Sequence, residues 1–149
     1  MIIRPAAPGD AAAVVDLVDA MGGHDGAAGN PAVAELFHQT LEWDGVRMLV
    51  AEDEGGVIGY AEVQARPYLL DGVRQGWLAA LCVAPGRRGR GVGAALVEAV
   101  DVAAAALGCD QVTLESSSFR SEAHRFYRAR GFDEVRPALR FQRPVRGGR

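Results

Sequence analysis

The sequence predicts an α/β fold in which helices cover both faces of a central mixed sheet. Apolar residues alternate along the chain between helical spacing and short strand-like runs, and glycine or proline separates most of these segments. In addition, 149 residues of which 49% are hydrophobic suffice for a sizeable buried core. The predicted order is β-α-α-β-β-β-α-β-α-β-β. Since no repeat or linker interrupts it, residues 1–149 are expected to form one domain.

The first half of the chain predicts a strand, two helices and a β-hairpin. Residues 1–4 form the strand, and the first helix, with apolar residues at helical spacing, ends at Gly22. Asn30 suits the cap of the second helix because a proline follows it at the first helical position. Strand-like runs at 47–52 and 57–63 flank an Asp-Glu-Gly-Gly turn, which indicates the hairpin.

The second half predicts six further elements. In order, they are a strand that ends with residues 77–83, a helix over 91–107, a strand over 111–115, a helix closed by Gly131, and short strands near 132–136 and 139–144. The helix over 91–107 is the strongest prediction, because a continuous apolar stripe runs along it.

Composition excludes several classes of protein. No apolar run approaches the roughly 20 residues of a membrane span, and the N-terminus lacks the apolar core of a signal peptide. The two cysteines, Cys82 and Cys109, are too few for a disulfide scaffold. A net charge of −3 argues against a general nucleic-acid binder. We therefore expect a cytoplasmic protein that binds neither membrane nor nucleic acid.

The charges are divided along the chain. Residues 1–62 contain eleven acids and two arginines, a net −9, whereas residues 63–149 contain eight acids and fourteen arginines, a net +6. Such a division would steer a cationic group to one region and an anionic group to the other. Two ordinary solvated faces of different charge are the alternative interpretation.

A glycine-rich turn between a strand and the strongest helix predicts an anion site. Glycines at 89, 91 and 93 let a ligand approach the backbone, and the first helical turn presents N–H groups with the positive end of the helix dipole. Arg87, Arg88 and Arg90 would add charge-assisted contacts to a phosphate or pyrophosphate. The chain contains no lysine, which excludes a Walker phosphate loop, and the glycine spacing differs from a dinucleotide fingerprint.

Two motifs of the second half are informative in their spacing. The first is L-x-V-x-P at residues 81–85 followed by R-x-x-G-x-G at 88–93, and the second is A-H-R-F-Y-x-x-x-G-F at 123–132. The first resembles the acyl-CoA signature of the GCN5-related N-acetyltransferases, and the second is similar to that family's helix that ends in a Gly-Phe pair. The predicted element order also resembles that of the family over essentially the whole chain.

The resemblance implies acetyl-CoA as co-substrate and gives roles to individual residues. Backbone groups of Leu81, Cys82 and Val83 would run beside the pantetheine and polarise the thioester carbonyl. The main-chain N–H groups that would hold the pyrophosphate belong to Arg88, Gly89, Arg90, Gly91, Val92, Gly93 and Ala94. Tyr127 would lie near the sulfur. Arg120 stands where many relatives have an asparagine that hydrogen-bonds the pantetheine.

The implied reaction is direct attack of a primary amine on the acetyl thioester. An alkyl ammonium with a pKa of about 10.4 must first lose a proton, which costs about 4–5 kcal/mol at pH 7. Glu62 and Glu115, both on predicted strands, are the candidate bases. A water relay, His24 or His38 are alternatives, and Tyr127 is the candidate acid for the departing thiolate. Histidine spacing gives no set of metal ligands, so no metal is expected.

The acceptor is expected to be a small cationic amine, such as a polyamine, an aminoglycoside-like compound or a peptide amine. The acids expected to face it are Asp25, Glu35, Glu42 and Asp44. A catalytically inactive acyl-CoA-binding sensor or interaction module is the alternative, because Ala79 and Ala80 stand where relatives often have an acid. The protein would act as a monomer or a homodimer.

Overall fold

A five-stranded sheet organises residues 1–115 of the computed structural model, which describes residues 1–22 and 26–147. Its elements are β1 (Ile2–Pro5), α1 (Ala11–Met21), α2 (Pro31–Thr40), β2 (Val46–Asp53), β3 (Gly56–Tyr68), β4 (Val73–Val83), α3 (Val92–Ala106) and β5 (Gln111–Thr113). The strands lie in the order β1-β2-β3-β4-β5, antiparallel except for the parallel pair β4 and β5. The predicted α/β class and its mixed sheet are confirmed.

Helices pack on both faces of this sheet, as predicted. Tyr60 of β3 belongs to a buried cluster with Val14 of α1 and Phe37 of α2. The preceding residue, Gly59, faces α3, since a Cβ there would lie 2.9 Å from the Leu96 side chain. Because successive strand residues point to opposite faces, α1 and α2 cover one side and α3 the other.

Strand β4 is paired along its whole length on one edge but only in part on the other. It pairs with β3 from Val73 to Val83, whereas β5 pairs only with Gln75, Gly76 and Trp77. The register with β3 shifts at Ala79, because Glu62 lies opposite Ala80 and Val63 lies opposite Leu78. This β-bulge bends the strand just where the pairing with β5 stops. Residues 78–83 therefore form an edge that β5 leaves open.

The second compact unit, residues 116–149, contains α4 (Ser121–Ala129). The strands predicted near 132–136 and 139–144 are wrong, because no strand is found in residues 130–147. An alternating apolar pattern needs a partner strand, and here Val135, Leu139 and Phe141 are 84–88% exposed. Pro144, at the end of the second predicted strand, also lacks the N–H that a ladder requires. A single-domain organisation of the whole chain stays a prediction.

Candidate active site

The glycine-rich turn joins β4 to α3 through backbone conformations that favour glycine. Gly89 has φ +74° and Gly91, the residue before the first turn of α3, has φ +84°. A Cβ at either position would meet no atom within 4 Å, so backbone conformation rather than space calls for glycine. The turn directs the chain into a 15-residue helix, whose first N–H groups have no partner within the helix itself. This geometry suits an anion.

The arginines of the turn have different partners. Arg87 forms an ion pair of 2.5 Å with Asp53 at the end of β2, so its guanidinium already has a carboxylate partner, and its contact with a phosphate stays a prediction. The Nε atom of Arg88 donates to the carbonyl oxygen of Val83 at 3.1 Å and ties the turn to the end of β4. The side chains of Arg88 and Arg90 are exposed. Positive charge at the turn thus comes from Arg88 and Arg90.

The open edge of β4 presents backbone groups beside this turn. The Ala84 N–H donates to Ile58 O at 2.9 Å, so the alternation of an antiparallel pair directs the backbone groups of Cys82 toward β3. The groups of Leu81 and Val83 then point to the open edge. The Cys82 side chain is 3% exposed, and its Sγ lies 3.5 Å from Met21 Sδ. The Cys82 thiol thus packs against α1, as expected for a small buried side chain.

A hydrogen-bonded array of three side chains lies on the α1 and α2 face of β3. Tyr60 Oη donates to Glu62 Oε2 at 2.7 Å, and Gln64 Nε2 donates to Glu62 Oε1 at 2.7 Å. Burial, and then the charge of Glu62, raise the pKa of Tyr60 well above its ordinary value, so the phenol stays protonated. The spacing i, i+2, i+4 placed the three residues on one face, but only the structure shows that Tyr60 and Gln64 both bond to Glu62.

The other candidate catalytic residues lie apart from regular strands. Glu115 is exposed and follows the end of β5 at Thr113, so its predicted place on a strand is wrong. Tyr127 lies in α4, and its half-buried ring makes edge contacts with Phe126 at 5.4 Å and Phe132 at 5.7 Å. Arg120 occupies the cap position of the same helix. The roles of Arg120, Glu115 and Tyr127 stay predictions.

The residues expected to face the acceptor are exposed where they are described. Glu35, Glu42 and Asp44 are all exposed, and His38 is exposed in the last turn of α2. His24 and Asp25 lie outside the described residues. Among residues 1–22 and 26–147, no cluster of three metal-ligand side chains occurs, and no helix is long and apolar enough to cross a membrane.

Comparisons with known proteins agree with the geometry. A family model described as an acetyltransferase (GNAT) domain matches residues 44–134. The chain is 32% identical over 146 residues to an aminoglycoside N(6')-acetyltransferase type 1 of Stenotrophomonas maltophilia. The matched region covers 96% of this chain and 93% of the relative. A relative of the same name from Klebsiella aerogenes is 27% identical over 119 residues, 76% of each chain.

A solved structure shares the fold. AAC(6')-Iy in complex with the bisubstrate analog CoA-S-monomethyl-acetylneamine matches with a TM-score of 0.84 at 20% identity, over 97% of this chain and 98% of the other. The family match spans β2 to α4 and includes the turn, the open edge and the array. The resemblance inferred from residues 81–93 and 123–132 is confirmed, and the protein is an N-acetyltransferase with acetyl-CoA as its co-substrate. The chain belongs to the GNAT superfamily of acetyltransferases.

Proposed function

We propose that this enzyme transfers the acetyl group of acetyl-CoA to a primary amine of a small polycationic acceptor of the aminoglycoside type. The observation that carries the proposal is the placement of the positive-φ turn at Gly89 and Gly91 beside the open edge of β4. An anion site and a row of backbone groups in that order suit a ligand with a pyrophosphate at one end and an amide-containing arm at the other.

In this proposal the cofactor is bound mainly by backbone groups. The N–H groups of residues 88–94 hold the pyrophosphate, and the outward groups of Leu81 and the N–H of Val83 pair with the pantetheine, while the Val83 carbonyl accepts from Arg88. An N–H of the same edge stabilises the oxyanion of the tetrahedral intermediate. The roles of Arg120 as a pantetheine contact and of Tyr127 as the acid for the thiolate rest on the family resemblance alone.

The acceptor class rests on charge and on the relatives. One aminoglycoside acetyltransferase is similar to this chain over 96% of its length and a second over 76%. Residues 1–62, which include α1, α2 and β2, have a net charge of −9, so they attract a cation by long-range electrostatics. Such attraction increases kcat/KM and weakens as salt screens it.

A thiol-release assay tests the proposal. Acetyl-CoA is mixed with an aminoglycoside, a linear polyamine, a peptide amine and an amine whose overall charge is zero, each at low and moderate ionic strength. We expect thiol release to be fastest with the aminoglycoside, with a kcat/KM that falls as salt increases. Equal use of the uncharged amine without a salt effect would contradict the acceptor class. Acetyl-CoA binding with no thiol release from any amine would instead indicate a non-catalytic binding module.

A further inference from the structure

We propose that Tyr60 and Gln64 are positioning residues that hold the Glu62 carboxylate as the group that accepts the proton of the acceptor ammonium. This inference rests on the proposed function and selects one base from the candidates that the sequence left open. The three residues stand at alternate positions of β3, so their side chains share one face of the sheet.

Both oxygens of Glu62 are held by a donor. The Tyr60 hydroxyl and the Gln64 amide each lie 2.7 Å from a different oxygen of the carboxylate. A carboxylate has about four acceptor positions, so one fixed donor on each oxygen leaves a further position on each for an incoming N–H. The array therefore fixes the orientation of the carboxylate and leaves it able to accept a proton.

Tyr60 is suited to act only as a donor here. Its side chain is buried among residues of α1, α2 and β2, with 3% exposure, so its hydroxyl has little access to solvent. Glu62 itself is half-buried, which leaves part of it accessible. A protonated phenol fixed beside a partly accessible carboxylate supports orientation of Glu62 rather than packing alone.

In the sheet, Glu62 lies on the strand next to β4, opposite the stretch of β4 that β5 leaves open. Its neighbours directly opposite are Met48 on β2 and Ala80 on β4. The side chain of Ala80 is a single methyl group. The β-bulge lies at the preceding residue, Ala79. Residues 79 and 80 of β4 are alanines, so the carboxylate at this level of the sheet comes from the adjacent strand. Glu115, in contrast, is exposed beyond the end of β5 and has no such array in the described contacts.

The proposed step balances as follows. The ammonium gives one proton to the Glu62 carboxylate, directly or through a water, and the neutral amine attacks the thioester carbonyl carbon. The new C–N bond forms and the C–S bond breaks. The nitrogen loses its second proton as it becomes the amide, and the departing thiolate takes up one proton, so this pair balances. The proton on Glu62 then passes to solvent, which restores the carboxylate.

A double-mutant cycle between Tyr60→Phe and Glu62→Gln tests this inference. Tyr60→Phe keeps the buried ring and removes one hydrogen bond, and Glu62→Gln keeps the shape and removes the base. We expect kcat/KM for the amine to fall about 10²-fold in Glu62→Gln and about tenfold in Tyr60→Phe. In the Glu62→Gln background, Tyr60→Phe should then cost less than twofold, while KM for acetyl-CoA stays unchanged in all three variants.

Two matched controls and one folding measurement accompany the cycle. Tyr68 stands at the end of the same strand, and Glu98 is exposed on α3. The variants Tyr68→Phe and Glu98→Gln should both keep wild-type rates. The thermal shift on adding acetyl-CoA reports whether each variant is folded. Folded variants at positions 60 and 62 with wild-type kcat/KM, or with additive effects, would overturn the inference while leaving the proposed function intact. A wild-type protein that acetylates none of the amines would contradict both.

Discussion

The cofactor half and the acceptor half of the candidate active site differ in the chemical groups that form them. The turn at 88–94 and the edge at 81–83 offer backbone groups, whereas the array on β3 offers only side chains. A backbone site depends on glycine conformations and on a gap in strand pairing, which tolerate change in most neighbouring side chains. A side-chain site depends on the residues themselves. We therefore expect most side-chain substitutions to disturb the array more than they disturb the turn and the edge.

The largest effect that separates the two halves is expected from Gly91→Val. A branched residue at φ +84° is strained by at least about 1–2 kcal/mol, so the first turn of α3 loses its geometry. At 100 times its Kd, acetyl-CoA should stabilise the wild-type protein by about 2.7 kcal/mol, and the variant should lose that gain. Thermal unfolding with and without acetyl-CoA measures it.

Gly86→Val is the matched control for this change. It lies in the same turn and has no positive φ, and a Cβ there meets nothing within 4 Å. It should keep most of the stabilisation by acetyl-CoA. Equal responses of the two variants would show that the conformation at Gly91 does not form the cofactor site.

A second prediction distinguishes a structural carboxylate from a functional one. Asp10 is 8% exposed and bonds to Arg4 at 2.8 and 2.9 Å and to the Ala7 N–H at 2.8 Å. Asp10→Asn should lower the free energy of unfolding by about 2 kcal/mol, since the hydrogen bonds to a charged group are lost. Activity per folded molecule should stay unchanged, the opposite of Glu62→Gln. Asp16→Asn, on the exposed face of α1, is the control and should change neither quantity.

The pH dependence of stability checks the same carboxylate. Hydrogen bonds from Arg4 hold the pKa of Asp10 below its ordinary value. Its contribution is therefore present above the pKa of an unfolded aspartate, about 3.9, and is lost as pH falls through the folded value. The difference in stability between wild type and Asp10→Asn should be constant near neutrality and shrink below about pH 4. A difference that persists unchanged in acid would contradict the ion pair.

The smallest effect is expected from Arg87→Ala. Its ion pair with Asp53 is partly exposed, so its loss should cost at most about 1 kcal/mol of unfolding free energy. The affinity for acetyl-CoA should stay within about twofold of wild type, because Arg87 is engaged by the end of β2. Calorimetric titration with acetyl-CoA measures that affinity. A tenfold lower affinity in the variant would show that Arg87 contributes to cofactor binding.

The sequence predicted the elements that form the backbone half better than the contacts of the side-chain half. The glycine-rich turn and the apolar stripe of α3 are local signals, and the structure has a turn with positive φ at Gly89 and Gly91 followed by that helix. The array at Tyr60 also depends on the register of β3 with its neighbours, and the ion pair of Arg87 depends on the end of β2. Contacts between residues that are far apart in the sequence produce no periodic pattern of residue types from which they could be predicted. The same limit explains the strands wrongly predicted after residue 131, where alternation alone could not supply a partner.

A crystal structure with CoA bound would show whether backbone groups of the turn and of the open edge hold the cofactor, as we propose. We predict phosphate oxygens within about 2.7–3.2 Å of main-chain nitrogens in residues 88–94. The pantetheine should run along Leu81 and Val83, with Arg87 still paired to Asp53. A pyrophosphate held by arginine side chains elsewhere, with the turn free of ligand, would contradict cofactor binding by these backbone groups.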